Sequence, residues 1–159
     1  NAGGSTMRQP MTTLPRDEWH RTIAVNLTSV YDGCMTAARH IDDGSIINIS
    51  SVAAEFGSRG QVNYAAAKAG MLGMARALAQ EVGRNGVTVN CVAPGWIETG
   101  SSSEAEIVAG QHTPVGRPGT PNEVGHMVVF LASEEASYVT GQLMVVDGGN
   151  TVQEYKVTL

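Results

Sequence analysis

The chain has 159 residues, of which 42% are hydrophobic, and it carries a formal net charge of -5. This length suits one domain with an apolar core, and the negative charge argues against nucleic acid as a main partner. No basic run indicates a membrane surface, no apolar stretch is long enough to span a bilayer and no signal peptide opens the chain, so the sequence predicts a cytoplasmic protein.

The first half of the chain alternates helical and strand patterns, which favours a parallel sheet with helical crossovers. Pro15 is typical of a first helical turn, and apolar residues recur at three- and four-residue steps over residues 19–38, as on one face of a helix. Gly44 ends this pattern. A hydrophobic run over residues 45–50 predicts a buried strand, and a long helix is predicted over about residues 61–82.

The second half continues the alternation. Asn85-Gly86 predicts a turn, and Pro94-Gly95 ends the strand that follows it. Residues 101–119 are polar and small, which indicates a mobile loop with a short helix. The elements predicted here are a strand over 87–92, helices over 104–109 and 121–131, a strand over 142–146 and a tail over about 151–159.

Cysteine and histidine are sparse. Cys34 and Cys91 fall in apolar contexts, one in a predicted helix and one in a predicted strand, which is typical of buried free thiols rather than of a disulfide or metal site. The four histidines show no metal-ligand spacing with each other or with the cysteines; they are His20, His40, His112 and His126. The sequence therefore predicts no metal site and a reducing compartment.

A tyrosine and a lysine on the long predicted helix point to proton chemistry. Tyr64 and Lys68 are four residues apart, so they lie one above the other on the same helix face. An ammonium beside a phenol is expected to lower the pKa of the tyrosine toward neutrality, as a general acid or base for a carbonyl oxygen requires. Ser51 follows a strand, where catalytic groups of open α/β sheets gather. The structural alternative, a surface tyrosine packing on a lysine stem, explains this order less well.

The order of these motifs resembles a known family. The segments that carry the resemblance are Asn-Ala-Gly (residues 1–3), Ile-Ile-Asn-Ile-Ser-Ser-Val-Ala (46–53), Gln-Val-Asn-Tyr-Ala-Ala-Ala-Lys-Ala-Gly (61–70), Val-Asn-Cys-Val-Ala-Pro-Gly-Trp-Ile-Glu-Thr (89–99) and Val-Asp-Gly-Gly (146–149). They resemble the short-chain dehydrogenase/reductases, and they are most similar to the 3-oxoacyl-carrier-protein reductases within that family. The resemblance covers residues 1 to about 150.

The resemblance implies the C-terminal portion of a doubly wound, Rossmann-like α/β domain, with helices on both faces of a parallel sheet. It implies NAD(P)-dependent reduction of a ketone or oxidation of a secondary alcohol. Tyr64 would then exchange the proton, Lys68 would assist it and hydrogen-bond the nicotinamide ribose, and Ser51 would donate to the substrate oxygen. The family's serine stands thirteen residues before its tyrosine, which selects Ser51 over Ser50.

Further site residues are implied in the same way. Asn26 matches a family asparagine that holds a water relaying protons to the lysine, although a capping or kink-stabilising asparagine is the alternative. The loop after Thr99 is shorter than in the 3-oxoacyl reductases, which favours a more open site. The positions that match cofactor-binding residues are Asn1, Tyr64, Lys68, Pro94, Gly95, Ile97 and Thr99.

The family's Thr-Gly-x-x-x-Gly-x-Gly turn, which cradles the cofactor pyrophosphate, does not occur in these 159 residues. We therefore expect a single partial domain, explained by a truncated, proteolysed or partly encoded chain, or by a split protein whose other half is a separate chain. In isolation such a chain is expected to be marginally stable and to show no measurable affinity for NAD(P). The residue that separates NAD from NADP follows the family's second strand, so either cofactor remains possible.

Two functions from different classes follow. The first is the oxidoreductase described above, acting on a small carbonyl or alcohol substrate as a homo-oligomer, a dimer or tetramer, with no nucleic-acid or membrane partner. The second is a catalytically inactive remnant that acts at most as an association module. An epimerase or dehydratase using the same tyrosine–lysine pair fits less well, because the Val-Asp-Gly-Gly ending resembles the compact dehydrogenases.

Overall fold

A computed structural model describes residues 1, 3–4 and 7–153. Ala2 of the Asn-Ala-Gly motif and residues 154–159 of the predicted tail lie outside the described residues. The helices are α1 (Arg16–Ile23), α2 (Ser29–His40), α3 (Ala53–Phe56), α4 (Val62–Val82), α5 (Glu104–Gln111) and α6 (Pro121–Leu131). The strands are β1 (Gly44–Ile49), β2 (Val87–Pro94) and β3 (Leu143–Val146), and single 3₁₀ turns cover Met11–Thr13, Gly83–Asn85, Glu134–Ala136 and Asn150–Val152.

The three strands form one parallel sheet in the order β1-β2-β3. Ile46 lies opposite Val89, and Cys91 lies opposite Leu143. β2 is in the centre and is buried along almost its whole length, as expected of a parallel strand that is covered on both faces. The α/β class, the parallel sheet and all three predicted strands are confirmed.

Alternate residues of β1 point to opposite faces of the sheet, and each face has its own core. On one face Ile46 packs with residues of α2 and α4, including Val30 and Met71. On the other face Ile47 and Ile49 pack against the cluster that contains Leu131 of α6. Helices therefore cover both faces, as the resemblance implied.

Helix α4 is 21 residues long and lies close to the sheet, because several of its buried residues are small. Its buried side chains recur near four-residue steps, as helical periodicity requires, and they include Ala67, Met71, Ala75, Ala79 and Val82. Gln61 is the N-cap rather than a helical residue, so the predicted span of 61–82 is correct to within one residue. The same helix positions Tyr64 and Lys68 one turn apart.

The predicted helical stripe over residues 19–38 is interrupted. Residues Ala24–Thr28 form a π-helical segment between α1 and α2. Asn26 lies in its centre, 1% exposed, and its Nδ2 donates to the carbonyl of Thr22, four residues earlier. This amide-to-backbone bond competes with regular helical pairing, and apolar periodicity alone could not reveal the inserted residue.

Candidate functional site

An open cavity of about 1010 Å³ lies beyond the carboxyl ends of β1 and β2. Eight of the predicted site residues line it, namely Asn1, Ser51, Tyr64, Lys68, Pro94, Gly95, Ile97 and Thr99. Asn26 does not line it. Residues that are up to 98 positions apart in sequence are thus brought together where parallel α/β sheets place their ligands.

Two adjacent serines, Ser50 and Ser51, follow the end of β1 and have different surroundings. The Ser50 hydroxyl is buried and donates to the carbonyl of Lys68 at 3.1 Å, which ties the strand end to α4. The Ser51 residue instead lines the cavity, where its hydroxyl accepts a bond from the Ala53 amide at 3.2 Å and acts to lower the pKa of the Tyr64 phenol. Ser51 is therefore the serine that stands beside the tyrosine.

Lys68 is buried below the tyrosine. Its Nζ donates to the carbonyl of Ile49 at 2.8 Å and lies 5.6 Å from the centre of the Tyr64 ring. The side chain is 7% exposed, and burial lowers the pKa of the Lys68 ammonium, while the nearby Cys91 thiol acts in the opposite direction. The ammonium is thus held over the ring rather than against the phenol oxygen.

The expected lowering of the tyrosine pKa is wrong for this structure. Burial raises the pKa of the Tyr64 phenol above its usual value, and the hydrogen bond from Ser51 opposes this rise only in part. The charge of Lys68 alone would lower this pKa, but the cost of burying the charged phenolate is larger. Tyr64 is therefore a neutral phenol near pH 7.

Replacing Ser51 by alanine is expected to raise the pKa of Tyr64 further. The change removes the Ser51 hydroxyl, which favours the phenolate, and leaves the phenol buried. The tyrosinate absorbance measured against pH, in a Tyr31→Phe, Tyr138→Phe and Tyr155→Phe background, isolates this residue. A Ser50→Ala variant is the control. An unchanged or lowered Tyr64 pKa in Ser51→Ala would contradict the prediction.

Asn26 reaches the site only indirectly. Its Oδ1 accepts from the Gly4 amide at 3.0 Å and its Nδ2 donates to the Gly4 carbonyl at 3.0 Å. A Cβ placed on Gly3 would lie 2.7 Å from Asn26 Oδ1 and 3.8 Å from Lys68 Nζ. The asparagine and the lysine therefore converge on Gly3, which has no side chain to separate them. The relay role of Asn26 stays a prediction.

The segment after β2 forms one wall of the cavity. A Cβ on Gly95 would lie 2.6 Å from the Cβ of Asp147, so close packing of the ends of β2 and β3 already requires glycine there. Ile97 forms an isolated parallel bridge with Gly119. The Thr99 hydroxyl lies 3.1 Å from that of Ser102, and its predicted contact with a carboxamide stays a prediction.

Asn1 completes the outer edge of β1, the edge strand of the described sheet. Its Nδ2 donates to the carbonyl of Ile47 at 3.0 Å, and its Oδ1 accepts from the amide of Ile49 at 2.9 Å. The side-chain amide thus pairs with β1 as a neighbouring strand would. It satisfies two backbone groups on an edge that would otherwise be open there.

Several polar residues of the cavity were not singled out from the sequence. They are Arg8, Ser58, Gln61, Ser101, Ser102, Glu106, Asn150 and Gln153. For Glu106 a signal existed, because Ser103 and Glu106 form a capping box at the start of α5 and the Ser-x-x-Glu spacing announces one. The others lie in loops and turns, where no periodicity marks the direction of a side chain.

The cysteine prediction is confirmed, since Cys34 in α2 and Cys91 in β2 are buried free thiols. Burial raises the pKa of the Cys91 thiol to about 11, which keeps it protonated and unreactive. Within residues 1, 3–4 and 7–153 there is no cluster of three His, Cys, Asp or Glu side chains able to hold a metal. No helix in this part of the chain could cross a membrane.

Known proteins resemble this chain over nearly all of its length. The model of a family described as enoyl-(acyl carrier protein) reductase matches residues 1–151. The 3-oxoacyl-[acyl-carrier-protein] reductase FabG of Chlamydia pneumoniae is 44% identical over 160 residues, covering 95% of this chain and 64% of that protein. The Thermotoga maritima protein of the same name is 40% identical over 156 residues, covering 94% and 63%.

Solved structures agree with these sequence matches. A short-chain type dehydrogenase/reductase from Mycobacterium ulcerans superimposes with a TM-score of 0.89 at 34% identity, covering 96% of this chain and 58% of that one. A double mutant of a Serratia marcescens short-chain dehydrogenase/reductase gives 0.88 at 35% identity, covering 95% and 63%. The chain thus spans somewhat less than two thirds of the length of these relatives.

Proposed function

Because the chain belongs to the short-chain dehydrogenase/reductase family, we propose that it carries the catalytic part of an NAD(P)-dependent oxidoreductase. The reaction is reduction of a ketone or oxidation of a secondary alcohol through Ser51, Tyr64 and Lys68. The observation that carries the proposal is that Ser51, Tyr64 and Lys68 line one cavity, with Lys68 Nζ 5.6 Å from the centre of the Tyr64 ring. The hydroxyls of Ser51 and Tyr64 can then both contact one substrate oxygen, with the ammonium of Lys68 nearby.

The protonation state of Tyr64 favours the reductive direction. A ketone that accepts a hydride develops negative charge on oxygen and needs a proton donor. The raised pKa of Tyr64 keeps its phenol protonated near neutrality. Ser51, beside the same phenol, turns its single hydroxyl proton to the substrate oxygen as charge develops there. Lys68, anchored on the Ile49 carbonyl, places a positive group beneath the ring and stabilises the phenolate that remains.

The residues of the cavity suit the nicotinamide half of the cofactor, which supplies the hydride when bound. Lys68 Nζ and the Thr99 hydroxyl are the donors placed to hold the ribose and the carboxamide. Asn150 Oδ1 and Gln153 Nε2 are buried polar atoms that have no hydrogen-bond partner among the residues that the structure describes, and both residues line the cavity. Unpaired groups of this kind are stabilised by a polar ligand. NAD and NADP both remain compatible with these residues.

A spectrophotometric assay tests the proposal. The chain is joined to the part of the C. pneumoniae reductase that lies outside the match, and the absorbance of NADH or NADPH is followed with a panel of small ketones and a 3-oxoacyl thioester. Oxidation of either nucleotide that depends on the ketone supports the proposal. If the joined protein binds the nucleotide but turns over no carbonyl compound, the association-module alternative gains support and the proposed reaction fails.

Association into at least a dimer is part of the proposal. The family implies a two-fold contact through the last helix and strand, and exposed apolar side chains lie there: Val129, Phe130, Tyr138 and Val145. Several large apolar side chains exposed on the same part of the chain favour an interface there. Members of this family are commonly oligomers. The buried free thiols, in turn, suit a reducing compartment such as the cytoplasm.

We expect sedimentation at micromolar concentration to show a dimer or larger species. Val129→Asp is expected to weaken association at least roughly tenfold, because a carboxylate replaces apolar area at the contact. Val108→Asp is the control, since Val108 is also exposed but lies on α5, away from this patch. A pure monomer for the unaltered chain would contradict the prediction.

A further inference from the structure

The cavity contains a positive side chain that the proposed chemistry does not use. Among its described lining residues the cationic side chains are Arg8 and Lys68. Lys68 is buried and anchored on a backbone carbonyl, whereas Arg8 is exposed at the opening of the cavity. It lies in the segment before α1.

The backbone at Arg8 is fixed, while its guanidinium is available. The amide of Gln9 donates to the carbonyl of Gly60 at 2.8 Å, which holds this loop against the turn that precedes α4. Arg8 Nη1 donates to Ser58 Oγ over 3.5 Å, the limit of a hydrogen bond. The ion pairs found in the described part of the chain are Arg21–Glu18 and Arg117–Glu123, so no carboxylate there neutralises Arg8.

Glu106 faces Arg8 across the cavity and does not replace an anionic ligand. The charge of Arg8 contributes to the lowered pKa of this carboxyl, after the two bonds from Ser103 and against a small burial cost. The two charges therefore interact electrostatically without forming an ion pair. The Glu106 carboxylate already accepts from the Ser103 amide and hydroxyl, each at 2.9 Å, and is committed to the start of α5.

Arg8 lines the same cavity as Ser51 and Tyr64, and hydrogen bonds connect it to the start of the helix that carries the tyrosine. Ser58, which bonds Arg8, also donates to Gln61 Oε1 at 2.6 Å. Gln61 caps α4 and precedes Tyr64 by three residues, a rise of about 4.5 Å along a helix. A small molecule with its carbonyl at Ser51 and Tyr64 can therefore extend an anionic group toward the guanidinium.

We propose that Arg8 determines substrate specificity by binding a carboxylate on the substrate, so that the site takes oxo-carboxylates of a few carbons in preference to their neutral esters. This inference rests on the proposed function, since it assigns the substrate class of the same site. Arginine suits the role because its planar guanidinium binds a carboxylate through two parallel hydrogen bonds.

Direct binding is the first test. Levulinate and methyl levulinate are titrated separately into the isotope-labelled chain, and the amide resonances of the loop around Ser58 are followed by NMR. We expect levulinate to bind more tightly, and Arg8→Gln to raise its Kd roughly tenfold while changing that of the ester less than about twofold. Arg8→Lys keeps the charge without the planar fork and is expected to fall between. The preference should shrink as salt is added.

Arg59→Gln is the matched control, since Arg59 is an exposed arginine next to Ser58, in the loop between α3 and α4, and does not line the cavity. It should leave both dissociation constants unchanged. Equal affinity of the unaltered chain for acid and ester overturns the proposal, as does no binding of levulinate at millimolar concentration. An equal loss of affinity for both ligands in Arg8→Gln also overturns the proposal, because the arginine would then serve only to position its loop. The same selective loss of levulinate affinity in Glu106→Gln overturns it as well, because the arginine would then act only by positioning α5.

Turnover separates this inference from the proposed function. In the protein joined to the relative's remaining segment, Arg8→Gln is expected to lower kcat/KM for levulinate roughly tenfold through KM, with kcat nearly unchanged. Ketone reduction that shows no preference for the acid rejects the role of Arg8 and leaves the proposed function standing. If no carbonyl compound is reduced, the proposed function fails, and the NMR titration still decides whether Arg8 binds a carboxylate.

Discussion

Tyr64→Phe is expected to lower kcat by roughly 10²- to 10⁴-fold in the completed enzyme, the range that a positioned proton donor contributes. Phenylalanine keeps the ring that lies 5.6 Å from Lys68 Nζ and removes only the hydroxyl bonded to Ser51. Folding and nucleotide binding should therefore change little. Steady-state kinetics with a ketone and calorimetric titration with the nucleotide measure the two properties separately.

Tyr31→Phe is the control for this change, because Tyr31 is exposed on α2 and lies outside the cavity. It should retain full activity. Retention of more than about a tenth of the unaltered kcat in Tyr64→Phe would reject the assignment, since such a small loss is less than a proton donor supplies. A pH profile of the unaltered enzyme adds a second check: reduction should persist up to the raised pKa of Tyr64 and fall above it, as the phenol loses its proton.

Gly95→Ala is expected to destabilise the chain by about 1–3 kcal/mol, the usual cost of forcing an extra methyl group into packed structure. The new Cβ would lie 2.6 Å from Asp147 Cβ and 2.8 Å from Asp147 Cα, so backbone as well as side chain must move. The amide of Gly95 donates to the carbonyl of Val146 at 3.0 Å, and separating these two segments breaks that bond. Urea unfolding of both variants measures the difference.

Gly33→Ala is the matched control. Gly33 is an exposed residue inside α2, and a Cβ there meets nothing within 4 Å. Alanine should be neutral or should stabilise the helix by up to about 1 kcal/mol. Because residues 94–97 line the cavity, Gly95→Ala should also weaken nucleotide binding in the completed enzyme. A free energy of unfolding within about 0.5 kcal/mol of the unaltered chain would show that the contact with Asp147 carries no weight.

The elements of the fold could be predicted because their signals are local and strong. The apolar run before Ser51 and the long apolar helix from Val62 have unambiguous lengths and periods, and Asn85-Gly86 marks its own turn with Gly86 at φ 80°. The parallel order of the sheet followed from the alternation of strand and helix. The burial of Cys34 and Cys91 followed from their apolar neighbours.

The parts that could not be predicted depend on the balance of long-range effects. The direction of the Tyr64 pKa depends on burial by segments distant in sequence, and the helix spacing to Lys68 could not report it. The cavity position of Arg8 depends on the bond between Gln9 and Gly60, which joins two loops without periodicity. The membership of Ser51, Tyr64 and Lys68 in one cavity was anticipated, whereas their chemical roles stay predictions.

The π-helical segment Ala24–Thr28 bears on which insertions and deletions this chain can tolerate. One extra residue within a helix rotates everything that follows by about 100° relative to what precedes it. Here α1 buries Thr22 and α2 buries Val30 and Cys34, so each helix faces the protein interior only with the insertion present. Deleting a residue from this segment would lengthen the regular helix and yet turn one of the two buried faces toward solvent. Relatives should therefore keep the number of residues in this segment constant.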